Sequence, residues 1–164
     1  MNFHFNPVRC ALLGPLGPMT LAAHNDALVG VWFDGQSHLP DMQSWPISQT
    51  DPVLQGAATQ LHEYFAKTRS AFDLPLYLGS GTPFQQRVWQ GLLGIAPGST
   101  TSYSALSEQL GQPSAVRAVA AAIGRNPLSI VVPCHRVVGA KGALTGYAGG
   151  LERKAALLQL ESTY

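Results

Sequence analysis

Cys134 is followed directly by His135 and Arg136, so a nucleophile, a base and a cation are neighbours in the chain. A cysteine attacks as its thiolate, and a free thiol with a pKa of about 8.5 needs help to ionise at neutral pH. His135 can accept the thiol proton directly or through a water. A carboxylate behind the histidine would hold its tautomer, and Glu161 and Glu152 are the late acidic residues available. The pattern indicates an activated thiol.

The residues before Cys134 indicate which backbone structure carries the thiol. The β-branched run Ile130-Val131-Val132 leads to Pro133, and Asn126-Pro127 lies a few residues earlier. β-Branched apolar residues favour strands, so we expect a strand that ends at the thiol. The alternative is a buried, inert cysteine, which is common for a lone one. The flanking histidine and arginine favour the reactive interpretation.

Composition sets the class of protein. The 164 residues are 46% hydrophobic and 12% charged, which is typical of a packed globular chain and excludes disorder. No apolar run approaches the roughly 20 residues of a membrane helix. The N-terminus has neither the basic start nor the apolar core of a signal peptide, so we expect a cytoplasmic protein. Cys10 and Cys134 are too few for a disulfide framework, and we expect both to be thiols.

Charge is distributed unevenly along the chain. Residues 1–80 carry three Lys/Arg and six Asp/Glu, a net charge of −3, whereas residues 81–164 carry seven and three, a net charge of +4. A basic half can face a polyanion, with counterion release as the driving force. An ordinary solvated surface explains the same charge equally well, so both interpretations stay open.

The N-terminal half alternates as strands do. Residues 19–23 and 28–33 flank Asn25-Asp26, a hairpin-turn pair. Asp51-Pro52 is typical of a helix start, and the spacing of apolar residues predicts a helix from residue 52 to about residue 66. Alternation at residues 72–76 predicts a short last strand. Gly79-Ser80-Gly81 is the predicted boundary between domains 1–79 and 80–164.

The C-terminal half is predicted to be helical. Thr82-Pro83 combines a capping box with a first-turn proline. Ser102 can cap a helix that ends before Gly111, and a second helix is expected over residues 114–123, which together resemble a helix-turn-helix. A final helix follows Gly150, and its spacing places Leu151, Ala155 and Leu158 on one face. The fold class is therefore α/β (α+β), a small N-terminal sheet with a helix plus a mostly helical C-terminal domain.

Motifs over the C-terminal half carry a family resemblance. Pro133-Cys134-His135-Arg136-Val137, with Asn126-Pro127 before it and Gly146-Tyr147-Ala148-Gly149-Gly150 after it, resembles the active-site signature of the O6-alkylguanine-DNA alkyltransferases. The match is dense over about residues 82–161 and looser in the N-terminal half. The resemblance implies an RNase H-like N-terminal domain. It also implies direct repair, in which a flipped O6-alkylguanine gives its alkyl group irreversibly to the protein's own cysteine. O4-alkylthymine is a second candidate substrate.

The resemblance also assigns roles by position. Cys134 would be the acceptor, His135 the water-mediated base, Glu161 its polarising carboxylate and Asn126 the brace of the active-site turn. Tyr103 would hydrogen-bond the flipped nucleotide and give it a proton, although from the residues alone a core role is favoured. The remaining roles concern DNA and the base: Ser104 and Gln112 for the backbone, Arg117 for the gap left by the base, Val137 for a carbonyl contact, and Tyr147 and Ala148 for the pocket wall.

The expected partner is double-stranded DNA containing O6-alkylguanine, bound by a monomer that needs no cofactor. His4, Cys10, His24 and His62 lack close ligand spacing, so no metal site is expected. Three other functions compete: a cysteine hydrolase using Cys134 and His135, a lesion binder without transfer activity, and a helix-turn-helix regulator. The hydrolase predicts turnover, the presence of Cys134 argues against the lesion binder, and the regulator would prefer one DNA sequence.

Overall fold

A three-stranded antiparallel sheet forms the N-terminal part of the protein, whose computed structural model describes residues 3–163. The strands β1 (Val8–Gly14), β2 (Gly17–His24) and β3 (Ala27–Phe33) lie in the order β1-β2-β3. Asn25 and Asp26 join β2 to β3 with φ angles of 47° and 59°, which suits a turn that requires two positive φ values. The predicted hairpin is confirmed.

Helix α1 (Pro52–Phe65) lies across this sheet and matches the predicted span closely. The Asp51 carboxylate accepts a hydrogen bond from the Leu54 N–H at 3.0 Å, as an N-cap residue does. The buried face of the helix ends with Leu61 and Tyr64. Tyr64 is therefore directed into the protein, while Phe65 is only partly buried.

The C-terminal part is mostly helical. Two short strands pair in parallel between its helices. The elements in chain order are α2 (Pro83–Leu92), β4 (Thr101–Ser102), α3 (Tyr103–Gln109), α4 (Val116–Gly124), β5 (Val137–Val138) and α5 (Leu151–Glu161). The mixed α/β fold class is confirmed, while the division into domains 1–79 and 80–164 stays a prediction.

The capping residues predicted for the helices of the C-terminal half are confirmed. Thr82 and Gln85 form the predicted reciprocal capping box at the start of α2. The Ser102 hydroxyl accepts from the Ala105 N–H at 3.1 Å, and Gly111 has a φ of 70° after α3. Helix α4 begins at Val116, two residues later than predicted, and has no side-chain cap. The two helices and their tight turn form the predicted helix-turn-helix.

The last strand predicted for the N-terminal half, over residues 72–76, does not form. Only Leu76 pairs with the sheet, as an isolated bridge to Leu28. Pro75 has no N–H to donate to a ladder, although its carbonyl accepts from the Leu28 N–H at 2.7 Å. The alternating apolar residues indicate a segment at the edge of the sheet, and Pro75 limits the pairing of that segment to a single bridge.

The outer edge of β3 also binds the segment that carries the chemistry. The Val31 N–H donates to the Pro127 carbonyl at 2.8 Å, and the Ser129 N–H donates to the Val31 carbonyl at 3.0 Å. One hydrophobic core joins both halves of the molecule, with Leu21 and Leu61 from one half and Trp89 and Leu157 from the other. The N-terminal sheet therefore fixes the position of the active-site turn.

Among residues 3–163, no helix is both long enough and apolar enough to cross a membrane.

Candidate active site

The segment from Asn126 to Pro133 is a compact turn, so the predicted strand leading to Cys134 is wrong. The Val132 N–H donates back to the Leu128 carbonyl at 2.8 Å, and Ile130 has a φ of 72°. A β-branched residue rarely takes a positive φ, which costs on the order of 1–3 kcal/mol and persists only where the surroundings enforce it. The β-branched composition reflects burial of this turn and not extended backbone.

Asn126 enforces the turn. Its buried Oδ1 accepts from the Leu128 N–H at 2.9 Å, and its Nδ2 donates to the Val132 carbonyl at 2.8 Å. The same Nδ2 lies 3.1 Å from Cys134 Sγ. One amide therefore folds the turn and touches the thiol, so the brace implied by the family resemblance and the Asx-type turn before Pro127 are one arrangement.

Cys134 begins a short 3₁₀ turn, Cys134–Arg136, and only 5% of its surface is exposed. Burial raises the pKa of its thiol above the ordinary value. The Asn126 hydrogen bond, the Lys154 ammonium and the backbone N–H groups at Cys134 and His135 act in the opposite direction. The effect of burial is the larger, so the pKa of the thiol stays raised and the thiol needs a base when it reacts.

His135 and Glu161 meet directly beneath the thiol-bearing turn. Nε2 of the imidazole and Oε1 of the carboxylate are 2.9 Å apart, with exposures of 0% and 1%. Nδ1 is buried, and among the described residues it has no hydrogen-bond partner. We assign the tautomer that donates Nε2–H to Glu161, because a carboxylate only accepts. Burial lowers the pKa of His135 more than Glu161 raises it, so the ring is neutral and Nδ1 has a free lone pair.

Arg136 does not face the thiol, contrary to our expectation of a second cation beside it. Its Nε donates to Glu161 Oε2 and its Nη2 to Oε1, both at 2.8 Å, and its Nη1 donates to the Ile95 carbonyl. This bidentate contact and the bond to His135 hold the pKa of Glu161 well below its usual range, against the opposing effect of burial. Glu161 is therefore a fixed anion.

The cation near the thiol is Lys154, which sequence reasoning missed. The residue is fully buried, and its Nζ donates to the carbonyls of Thr145 and Gly146 at 2.7 and 3.3 Å. Our predicted apolar face of α5 is also wrong, since Leu151 is 47% exposed. The buried face carries Lys154, Leu157 and Glu161 instead. A lysine at helical spacing from Glu161 was the available signal.

Tyr103 stands at the first position of α3, half-buried, with its ring below the Lys154 ammonium. Its hydroxyl donates to the Thr145 carbonyl at 2.9 Å and lies 3.3 Å from the Gly146 carbonyl. Lys154 donates to the same two carbonyls, so the tyrosine and the lysine share acceptors. The phenol can turn toward another acceptor and leave these carbonyls satisfied by the lysine.

A cavity of about 260 Å³ opens beside Tyr103, between helix α4 and the loop over residues 146–148. Gly149 closes the loop against the core, where a Cβ would lie 2.8 Å from the Tyr147 ring and 3.1 Å from Phe33. The cavity is lined by Ser37, His38, Tyr103, Ala120, Ile123, Gly124, Gly146, Tyr147 and Ala148. Helix α4 and the N-terminal loop after β3 thus share one pocket with the predicted pocket residues.

The other predicted site residues fall into two groups. Val137 is buried in β5, where it pairs with Thr101, and the Ala148 carbonyl accepts from the Ser37 N–H at 3.0 Å. Ala148 and Tyr147 line the pocket, whereas Val137 is not among its lining residues. Ser104 and Arg117 are exposed and Gln112 is partly exposed, on α3, α4 and the turn between them. This second group lies on the surface of the helix-turn-helix, outside the buried network.

Within residues 3–163, no three His, Cys, Asp or Glu side chains are grouped so that they could hold a metal ion. Cys10 is buried in β1, and the His24 ring stacks on Phe5 with centroids 4.0 Å apart.

Two family models match this chain. Residues 83–163 match the DNA-binding domain of the 6-O-methylguanine DNA methyltransferases, and residues 12–78 match the ribonuclease-like domain of that family. The methylated-DNA–protein-cysteine methyltransferase of Mycobacterium tuberculosis (strain H37Rv) is 49% identical over 150 residues, which cover 91% of this chain and 88% of the relative.

Two further relatives agree. The methylated-DNA–protein-cysteine methyltransferase of Shigella flexneri is 54% identical over 116 residues, 70% of this chain and 66% of the relative. The crystal structure of M. tuberculosis OGT in complex with DNA has a TM-score of 0.87 and 46% identity, and the match covers 95% of this chain and 93% of that one. The chain belongs to the 6-O-methylguanine DNA methyltransferase family of DNA-repair alkyltransferases.

Proposed function

We propose that the protein reverses O6-alkylation of guanine in double-stranded DNA by moving the alkyl group to Sγ of Cys134, once per molecule. The observation that carries this proposal is a buried thiol held by Asn126, whose chain neighbour His135 is bound to Glu161. The thiol lies near Tyr103 and Tyr147, which line the pocket. Family membership supports the same reaction. O6-alkylguanine is the proposed substrate, and O4-alkylthymine, whose alkylated oxygen is chemically similar, is a secondary one.

The base must leave the duplex before transfer. Its O6 atom cannot reach a buried thiol from inside the stack, and an alkylated base pair costs less to open than an intact one. The pocket beside Tyr103 accepts the extrahelical base, with Tyr147 and Ala148 as its wall. The proposed contact from the Val137 carbonyl to the base rests on the family resemblance alone. Arg117, exposed on α4, fills the space that the base leaves.

The helix-turn-helix serves DNA of any sequence. Ser104 and Gln112 contact the backbone, which positions the protein without reading bases. Helix α4 carries alanines at positions 118 and 121 on its exposed surface. Such a smooth face suits the minor groove, whose pattern of donors and acceptors is degenerate. A repair enzyme gains from this, because the lesion can stand in any sequence.

The chemical step balances without a cofactor. His135 takes the proton of Cys134 through its free Nδ1, directly or through one water, while Glu161 stabilises the imidazolium that forms. Sγ attacks the alkyl carbon, an S–C bond forms and the C–O6 bond breaks. Tyr103 donates its phenol proton to the departing guanine anion. The His135 imidazolium releases its proton to solvent and the phenolate takes one up from solvent, so the net change is transfer of the thiol proton to guanine. The products are a thioether on Cys134 and an unmodified guanine.

Formation of the thioether inactivates the protein. An acid–base pair that activates a thiol has no means to hydrolyse an unactivated C–S bond, so each molecule accepts one alkyl group. Both cysteines are free thiols, a state that a reducing compartment maintains. We therefore infer that the protein acts in the cytoplasm, and we propose that it acts on DNA as a monomer.

Mass spectrometry tests the proposal. The protein is incubated with duplex DNA bearing O6-methylguanine and, in parallel, with the same duplex bearing guanine. We expect a gain of one methylene on the peptide that contains Cys134, with the lesion duplex only. Cys134→Ala should gain nothing, and Cys10→Ala should gain as much as the native protein. Folded native protein without an adduct, or an adduct on Cys10, would contradict the proposal.

A further inference from the structure

Tyr64 brings the N-terminal domain into the catalytic network. Its hydroxyl donates to Glu161 Oε1 at 2.7 Å, across 97 positions of the chain. Both side chains are almost fully buried, at 0% and 1% exposure. The tyrosine lies on α1, whereas every residue assigned so far to the chemistry lies in the C-terminal half. No motif near Cys134 points to this contact.

Glu161 Oε1 is unusually crowded. It accepts from Tyr64, lies 2.9 Å from His135 Nε2, and accepts from Arg136 Nη2 at 2.8 Å. Oε2 receives only Arg136 Nε among the contacts recorded in the described chain. Each donor withdraws electron density from the oxygen it binds. The charge available to the His135 ring is therefore divided among three donors on one atom.

Tyr64 and Arg136 both bind the Glu161 carboxylate, but with different geometry and therefore with different effects. The guanidinium binds both carboxylate oxygens, and this bidentate contact already fixes the orientation of the carboxylate. A further donor adds little to orientation. It acts chiefly on the charge of the oxygen that it shares with His135, because hydrogen bonds that share one acceptor weaken each other.

We propose that Tyr64 is a positioning residue of the transfer reaction, whose hydroxyl shares Oε1 of Glu161 and thereby keeps the His135 imidazole neutral and ready to accept the Cys134 proton. The inference rests on the proposed function, in which His135 is the base. A base can accept a proton only in its unprotonated form. The N-terminal domain thus tunes the reactive centre as well as supporting its turn.

The sign of the effect follows from the neighbours of His135. The charged and titratable groups around it are Glu161 and Lys154 from α5, Arg136 and Cys134 from its own turn, Tyr64 from α1 through Glu161, and Tyr147 beside Cys134 and Tyr64. Removing the Tyr64 hydroxyl leaves all formal charges in place and returns electron density to Oε1. That favours the imidazolium, so the pKa of His135 rises.

The test is the pH profile of methyl transfer by Tyr64→Phe at saturating lesion DNA. Transfer slows as pH falls through the pKa of His135, because the protonated ring is no base. In Tyr64→Phe we expect this acid limb to move up by roughly 0.5 to 1 pH unit, with the plateau rate changed only a few-fold. Tyr77→Phe, the same change at an exposed tyrosine that packs on Phe5, should leave the limb in place.

A second variant moves the limb in the opposite direction. Replacing Tyr64 by 3-fluorotyrosine keeps the shape of the ring and makes the phenol a stronger donor, so the limb should move to lower pH. An unmoved limb in both variants, or shifts of the same sign, would overturn the inference.

A titration of the His135 ring by ¹⁵N NMR in the DNA-free protein gives an answer that does not depend on transfer. If the native protein transfers no methyl group, the proposed function fails; if it transfers but the ring titrates alike in native protein and Tyr64→Phe, only the inference fails.

Discussion

Cys10 and Cys134 are both buried free thiols in one hydrophobic core, with 8% and 5% of their surfaces exposed, yet their surroundings differ. Burial raises the pKa of each. At Cys10 the nearby Asp51 raises the pKa further. At Cys134 an amide, an ammonium and backbone N–H groups oppose the burial. Burial alone makes a cysteine inert, and the polar groups around it decide whether it can react.

The two sites also differ in how the chain builds them. Cys10 lies within β1, where a regular ladder to Leu21 sets its place. Cys134 follows a turn with one strained residue, Ile130, and a side chain, Asn126, that replaces a backbone ladder. Regular structure holds Cys10 in the core, while irregular structure held by buried hydrogen bonds places Cys134 among polar groups.

Replacing Glu161 by Gln should produce the largest difference between the two cysteines. The amide can no longer stabilise the His135 imidazolium, and a general base is worth about 100-fold or more in rate. We expect methyl transfer to Cys134 to slow by about that factor in single-turnover assays. Glu63→Gln, the matched change at a partly exposed carboxylate, should transfer normally. Equal rates in both variants would remove Glu161 from the mechanism.

Replacing Lys154 by Met tests the cation that the sequence did not reveal. Without the ammonium the pKa of Cys134 rises, and one pKa unit means about tenfold less thiolate at a given pH. Alkylation of Cys134 by iodoacetamide, followed on its peptide, should slow by about tenfold, while Cys10 should be unaffected. Lys67→Met, at an exposed lysine, is the control. Faster alkylation of Cys10 would mean that the variant had loosened the whole fold, because Cys10 is buried in the native protein.

The smallest expected effect is on acid stability. Burial opposes ionisation of Glu161, but the hydrogen bonds from Arg136, His135 and Tyr64 outweigh it and lower the pKa of the carboxyl below its ordinary value of 4.5. Its stabilising contribution is therefore complete above about pH 5. That contribution is lost as pH falls from there toward the depressed folded-state value. Urea unfolding between pH 7 and pH 3 should show a steeper loss of unfolding free energy for the native protein than for Glu161→Gln. Parallel curves would mean that the carboxylate is not held as an anion.

Local signals predicted the elements well. The capping residues Asp51, Thr82 and Ser102 and the turn at Asn25-Asp26 each act within a few positions of the chain, and each placed an element correctly. The predicted strand over residues 72–76 was wrong, because the alternation indicates an edge segment and takes no account of Pro75. The turn before Cys134 failed for a related reason, since burial on all sides gives the same β-branched composition as a strand.

The site was predictable only where the family resemblance supplied it. Cys134, His135, Asn126 and Glu161 do meet, whereas the direction of Arg136 and the presence of Lys154 were not foreseen. Tyr64 could not have been found from pattern, because its partner is 97 positions away. Such contacts depend on how α1 and α5 pack across the core, which periodicity within either helix does not determine.

The central claim, that Cys134 is an acceptor used once, is tested most directly by counting methyl groups. Native protein of known active concentration is mixed with an excess of duplex carrying radiolabelled O6-methylguanine, and labelled protein and repaired guanine are followed to completion. One methyl group per protein molecule, with repair stopping at one equivalent, is the predicted result. Repair that continues beyond one equivalent, with label released to solution, would contradict the account and indicate a hydrolase.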